Sequence, residues 1–134
     1  MKIDRAAAFL YAIVSTAVIA FQIALAAGAP WGAYAMGGAF PGQFPPPMRI
    51  GAVVQAAILA GLAGVVLSRG GVALPSWSKV SHWLIWVVVA FSVLSLVLNL
   101  ITPSAGERAI WAPVAFVMLA SSLSVALLRR KDTV

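Results

Sequence analysis

The sequence predicts an all-α polytopic membrane protein, a bundle of four transmembrane helices with both termini in the cytoplasm. Three observations carry that expectation. Four apolar stretches, 6–27, 50–68, 83–102 and 109–128, contain no Asp, Glu, Lys or Arg. Each approaches or meets the roughly 20 helical residues that cross a ~30 Å hydrocarbon core. Of the 134 residues, 63% are hydrophobic and 9% are charged, against about 25% charged in soluble domains. That leaves no room for a separate soluble unit, so residues 1–134 read as one transmembrane domain. Finally, the basic residues are unevenly shared between the connections. Lys2, Arg5, Arg69, Lys79, Arg129, Arg130 and Lys131 fall on one side and only Arg49 and Arg108 on the other. By the positive-inside rule the first side is cytoplasmic.

Span 1 covers 6–27 and stops at Gly28-Ala29-Pro30. Met1–Arg5 followed by an apolar run also resembles a signal peptide, with Ala24-Leu25-Ala26 as its cleavage site. A signal's apolar region is typically 7–15 residues, so a retained helix is expected instead. The 28–49 connection is rich in Gly and Pro and should not form regular helix. It also carries Trp31, Tyr34, Met36, Phe40 and Phe44, with no charge before Arg49. Disordered segments are polar and poor in aromatics. This loop is therefore expected to be ordered and to lie over the outer helix ends, where Trp and Tyr favour the interface. Pro45-Pro46-Pro47 should be stiff polyproline-like chain that delivers Arg49 to the mouth of span 2.

Span 2 stops at Ser68-Arg69-Gly70-Gly71, a good helix terminator. Pro75, Trp77 and Trp83 frame a short interfacial connection. Span 3 is ended by Pro103, and Ser104-Ala105-Gly106-Glu107 has the spacing of a capping box that opens span 4. Pro113 falls in the first turns of span 4, where a missing N–H costs least.

The segments Gly28-Ala29-Pro30-Trp31-Gly32-Ala33-Tyr34-Ala35-Met36-Gly37-Gly38 and Asn99-Leu100-Ile101-Thr102-Pro103-Ser104, with Glu107-Arg108 and Trp111, carry a resemblance. The chain resembles a family of small bacterial four-span membrane proteins over most of its length. The resemblance implies the architecture and transfers no activity. The Ala-, Gly- and Val-rich composition and short loops point to a bacterial plasma (inner) membrane.

Polar side chains inside spans need partners, so their positions are informative. Tyr11, Ser15 and Gln22 share one stripe of span 1, and Ser92, Ser95, Asn99 and Thr102 share one of span 3. Gln55 is the strongly polar residue inside span 2. By distance from the span ends, Gln22, Gln55 and Asn99 sit at one level in the outer half. The sharp expectation is an outward-opening pocket for a lipid-like or apolar small ligand. Gln22, Gln55 and Asn99 would form its floor, Arg49 and Glu107 its rim, and Trp31, Tyr34 and Trp111 its walls, with Arg49 meeting an anionic group. The plainer alternative has the amides bonding to one another, Arg49 and Glu107 forming an ion pair or touching headgroups, and the aromatics serving as belt residues.

Span 2 also carries Ala57, Ala60, Gly61, Gly64 and Ser68 at small-xxx-small spacings, roughly opposite Gln55. Such residues let helix backbones approach closely in lipid. They serve either another helix of this chain or a partner, which makes the protein an accessory subunit or a homodimer. Membrane lipids are the other expected partners. Nucleic acid is not, because the net charge of +6 is distributed over helix ends and forms no basic stripe.

The chain has no cysteine, which excludes disulfides, thiol chemistry and thiolate metal sites. His82, Asp4, Glu107 and Asp132 are scattered, so no metal and no cofactor is expected. No nucleophile–base–acid set is visible, since the topology separates His82 from Ser104 and Glu107. Glu107 is the one catalytic candidate, as a general acid or base, for a small lipid-modifying enzyme.

Overall fold

The computed structural model describes residues 2–132, and the side chains of 2–128. Among these residues it is all-helical, without strands. The long helices are α1 (Ile3–Ala26), α2 (Pro46–Arg69), α3 (Ser78–Ile101) and α4 (Ala105–Asp132). All four are long and apolar enough to cross a membrane. The side chains of Arg129, Arg130 and Lys131 lie outside the described residues, so the charge count at that end rests on the sequence.

Neighbouring helices run antiparallel, and each packs against the helices before and after it in the ring α1–α2–α3–α4–α1. The α2–α3 seam is the sparsest of the four, and α1–α2 and α3–α4 are the densest. The core of Tyr11, Leu59, Val66, Ile85, Val88, Met118 and Val125 lies in the half of the ring near the termini. Leu25, Phe44 and Ala52 make a smaller cluster at the opposite end, which we call the loop end.

Helix α2 begins earlier than its hydropathy suggests. Pro46 and Pro47 form its first turn rather than a polyproline spacer, and Pro45 alone is extended, at φ −64° and ψ 157°. Proline suits this position because the first helical N–H groups have no intrahelical acceptor. Ser78 opens α3 after a single 3-10 turn at Pro75–Trp77. At the N-terminus of α4, Ser104 Oγ accepts the Glu107 N–H at 3.1 Å, so half of the expected capping box forms. The Ser104 N–H instead donates to Thr102 Oγ1, which frees the Glu107 carboxylate for another role.

The α1–α2 connection, residues 27–45, ends four residues earlier than the 28–49 read from hydropathy, because α2 takes Pro46–Arg49. Two 3-10 turns, Gly32–Tyr34 and Met36–Gly38, fold it back on itself. The Gly32 N–H donates to Gly42 O at 2.8 Å and closes the fold. At the termini end, the start of α1 meets the end of α2. Gly70 packs against Ala8 there, and both Asp4 and Arg69 are buried.

Candidate ligand cavity

Three hydrogen bonds pin the loop to the α3–α4 turn, and they roof the ring. Glu107 Oε2 accepts the Gly37 N–H at 2.9 Å and the Thr102 hydroxyl at 3.2 Å. Ser104 Oγ donates to Ala33 O at 2.8 Å. Trp111 Nε1–H donates to Tyr34 O at 2.9 Å. The Tyr34 ring lies on Gly106, where a β-carbon would fall 2.5 Å from Tyr34 Cε1. Met36 sits at φ 53°, in the left-handed region. A non-glycine residue pays about 1–2 kcal/mol there, and the Glu107 bond to the following N–H holds it in place.

Beneath this roof lies a cavity of about 790 Å³, within the roughly 300–1,000 Å³ usual for small-molecule sites. Each helix contributes a stripe at helical spacing. From α4 come Glu107, Trp111, Val114, Ala115 and Met118. From α3 come Phe91, Ser92, Ser95, Leu98, Asn99 and Thr102; α2 adds Met48, Ala52, Gln55 and Leu59, and α1 adds Val18, Phe21 and Gln22. Between Ser92 and Ile101, α3 rises ~13.5 Å, a little under half of the ~30 Å hydrocarbon core. Gly51 and Gln55 on α2, with Leu94, Leu98 and Ile101 on α3, both line the cavity and are exposed. The cavity therefore opens sideways through the loose α2–α3 seam.

Six of the eight ligand-site residues singled out in the sequence line this cavity: Gln22, Tyr34, Gln55, Asn99, Glu107 and Trp111. Arg49 and Trp31 do not. Arg49 Nε donates to Phe44 O at 2.8 Å, and its guanidinium lies over Gly28 at the C-terminus of α1, where cations are favoured. It therefore forms neither a rim nor an ion pair with Glu107. Trp31 stacks on the far side of Phe21, with ring centroids 6.2 Å apart and planes 8° apart. Phe21, which nothing polar or charged marks in the sequence, stands 4.6 Å from the Trp111 ring and lines the cavity.

The amides do not bond to one another. Asn99 Nδ2 donates to Ser95 O at 2.7 Å on its own helix. Among the described residues, the Gln22 and Gln55 side chains have no protein hydrogen-bond partner. Gln55 lies nine residues inside α2 rather than five, because the helix starts at Pro46. Gln22 and Gln55 still share a level. Each lies three residues, or ~4.5 Å, toward mid-membrane from the packed Leu25–Ala52 pair. By contrast, Ser92, Ser121, Ser122 and Ser124 bond back to carbonyls of their own helices. The buried Tyr11 hydroxyl faces Ser92 and Ser15 without closing to an ordinary hydrogen-bond length.

The small-residue face of α2 is half occupied by the chain itself. A β-carbon on Gly64 would fall 2.7 Å from the Trp77 ring, and Ser68 is buried with its hydroxyl donating to Leu74 O. Ala57 and Ala60 are exposed, and nothing stands within 4 Å of a β-carbon on Gly61. The five residues are therefore not one free face.

No protein-family model, curated protein or solved structure matches this chain, and the cavity's own chemistry is the guide to its use.

Proposed function

We propose that the protein is a four-helix bundle of the bacterial plasma membrane, with both termini in the cytoplasm, that binds a lipid-like or apolar small ligand in its outward-facing half. One observation supports this reading above the others. Two glutamine amides, at one level of a largely apolar cavity, have no hydrogen-bond partner among the described residues. Gln22 is half-buried and Gln55 exposed, so within a bilayer both amides face hydrocarbon or the cavity. An amide without a hydrogen bond there costs roughly 1–3 kcal/mol, and lipid supplies few partners. Gln22 and Gln55 are therefore better explained as ligand contacts than as struts. The sideways opening favours a ligand that arrives through the bilayer, and the depth of the cavity suits a chain from one leaflet.

The test is native mass spectrometry of the protein extracted with its surrounding lipid. A reproducible extra mass is expected on the wild type and should be lost from Gln55→Leu. The variant should keep its fold, because no protein hydrogen bond is removed. A clean apo mass on the wild type, or retention of the adduct by both Gln22→Leu and Gln55→Leu, would sink the reading.

A further inference from the structure

The charge of the cavity wall narrows the ligand to one class, a step that rests on the binding reading above. Glu107 is the one charged residue among those lining the cavity. The two cations at the loop end are directed elsewhere. Arg49 lies over the C-terminus of α1, and Arg108 Nη1 donates to Thr102 O at the C-terminus of α3, at 2.9 Å. Glu107 Oε2 takes both hydrogen bonds offered by the chain, and Oε1 takes none among the described residues. An anionic headgroup would thus meet an acid and no base.

Two aromatic residues, Tyr34 and Trp111, line the cavity with that acid. The Tyr34 ring covers Gly106, one residue before Glu107. Trp111 is one turn further along the same face of α4, with Phe21 against it. The Trp111 N–H already bonds Tyr34 O, so its indole has no donor left for an anion. Aromatic faces attract cations, more strongly as desolvation increases. Toward mid-membrane the wall becomes apolar, with Val18, Leu59, Phe91 and Met118. Glu107 and Met118 are eleven residues apart on α4, a rise of ~16 Å.

We infer that the cavity takes an amphiphilic cation, with an ammonium head between Glu107 and the Tyr34–Trp111 pair and an alkyl chain running toward Met118. The glutamine amides contact the part of the molecule between head and chain.

Titration calorimetry of the whole protein in a neutral sugar detergent tests this with three probes of equal chain length: dodecyltrimethylammonium, dodecanol and dodecyl sulfate. The cation should bind about tenfold or more tightly than either of the others. Glu107→Gln should weaken the cation about tenfold more than it weakens dodecanol. Gln keeps an acceptor for the Gly37 N–H and the Thr102 hydroxyl, so the roof stays closed. Tyr34→Leu, which leaves the carbonyl bonded by Trp111, should erode the same preference independently. Equal or tighter binding of dodecyl sulfate or dodecanol overturns the charge assignment while leaving the cavity a binding site. So does a cation preference that survives both variants. If the wild type binds none of the three, the cation assignment falls and the binding reading falls with it.

Discussion

Gly32 is the position where the roof of the cavity can be broken by one methyl group. A β-carbon there would lie 1.8 Å from Phe40 O and 2.7 Å from Gly42 O, against ordinary contact near ~3.5 Å. Both obstacles are backbone, so no side chain can swing aside. The 40–42 segment must move by more than ~1 Å, and the Gly32 N–H bond to Gly42 O at 2.8 Å is lost with it. Forced overpacking costs about 1–3 kcal/mol and a net hydrogen bond about 1 kcal/mol, so Gly32→Ala should destabilise the closed loop by ~2–4 kcal/mol. Gly42→Ala is the control for backbone conformation alone. Gly42 has φ +79° but open space around its β-position, so it should cost only about 1–2 kcal/mol. Gly61→Ala, on an open helical face, should be neutral or slightly stabilising. Limited chymotrypsin digestion in detergent reads the result, because Trp31, Tyr34, Phe40 and Phe44 supply cleavage sites within the loop. Where cleavage follows the opening equilibrium, Gly32→Ala should accelerate it by up to roughly 30- to 700-fold. Cleavage of Gly32→Ala at the wild-type rate, or no faster than Gly42→Ala, would refute the loop closure described above.

Other substitutions probe the remaining contacts. Glu107→Ala removes the acceptor of the Gly37 and Thr102 bonds, each about 1.5–3 kcal/mol when the acceptor is charged; it should open the loop to chymotrypsin, whereas Glu107→Gln should not. Ser104→Ala loses both the helix cap and the bond to Ala33 O, and thermal unfolding should show a loss of about 1–2 kcal/mol. Gly64→Leu should drive Trp77 off α2 and change the tryptophan emission, while Gly61→Leu leaves it unaltered. Tyr11→Phe should leave thermal stability unchanged or raise it by up to ~1 kcal/mol, because the buried hydroxyl has no short partner.

Several site residues were legible before any tertiary contact was known. Gln22, Gln55 and Asn99 stood out because an amide in a span needs a partner, and their helical phase placed them on faces directed at neighbouring helices. Glu107 stood out as the capping-box acid at the start of span 4, and Trp111 as an aromatic near the same end. Phe21 carried no such signal, since a phenylalanine in an apolar span is unremarkable until its neighbours are known. A cation at an interface suggests an anionic ligand, and the sequence does not reveal that Arg49 lies over the end of α1, away from the cavity lining.

The sequence by itself determined the four helices, their approximate limits, and an aromatic connection between the first two. Those features follow from local properties: run length, the absence of charge, and the Gly, Pro and Ser signals at the ends. Tertiary structure decided which polar groups are already engaged. Glu107 is claimed by Gly37, Trp111 by Tyr34, Ser104 by Ala33, and Gly64 by Trp77, while Gln22 and Gln55 have no hydrogen-bond partner among the described residues. The first three pairs join residues about seventy positions apart. Their partners depend on how the helices sit against one another, and hydropathy and periodicity carry no information about that distance. The cavity has the same origin, because it exists only where α2 and α3 fail to close.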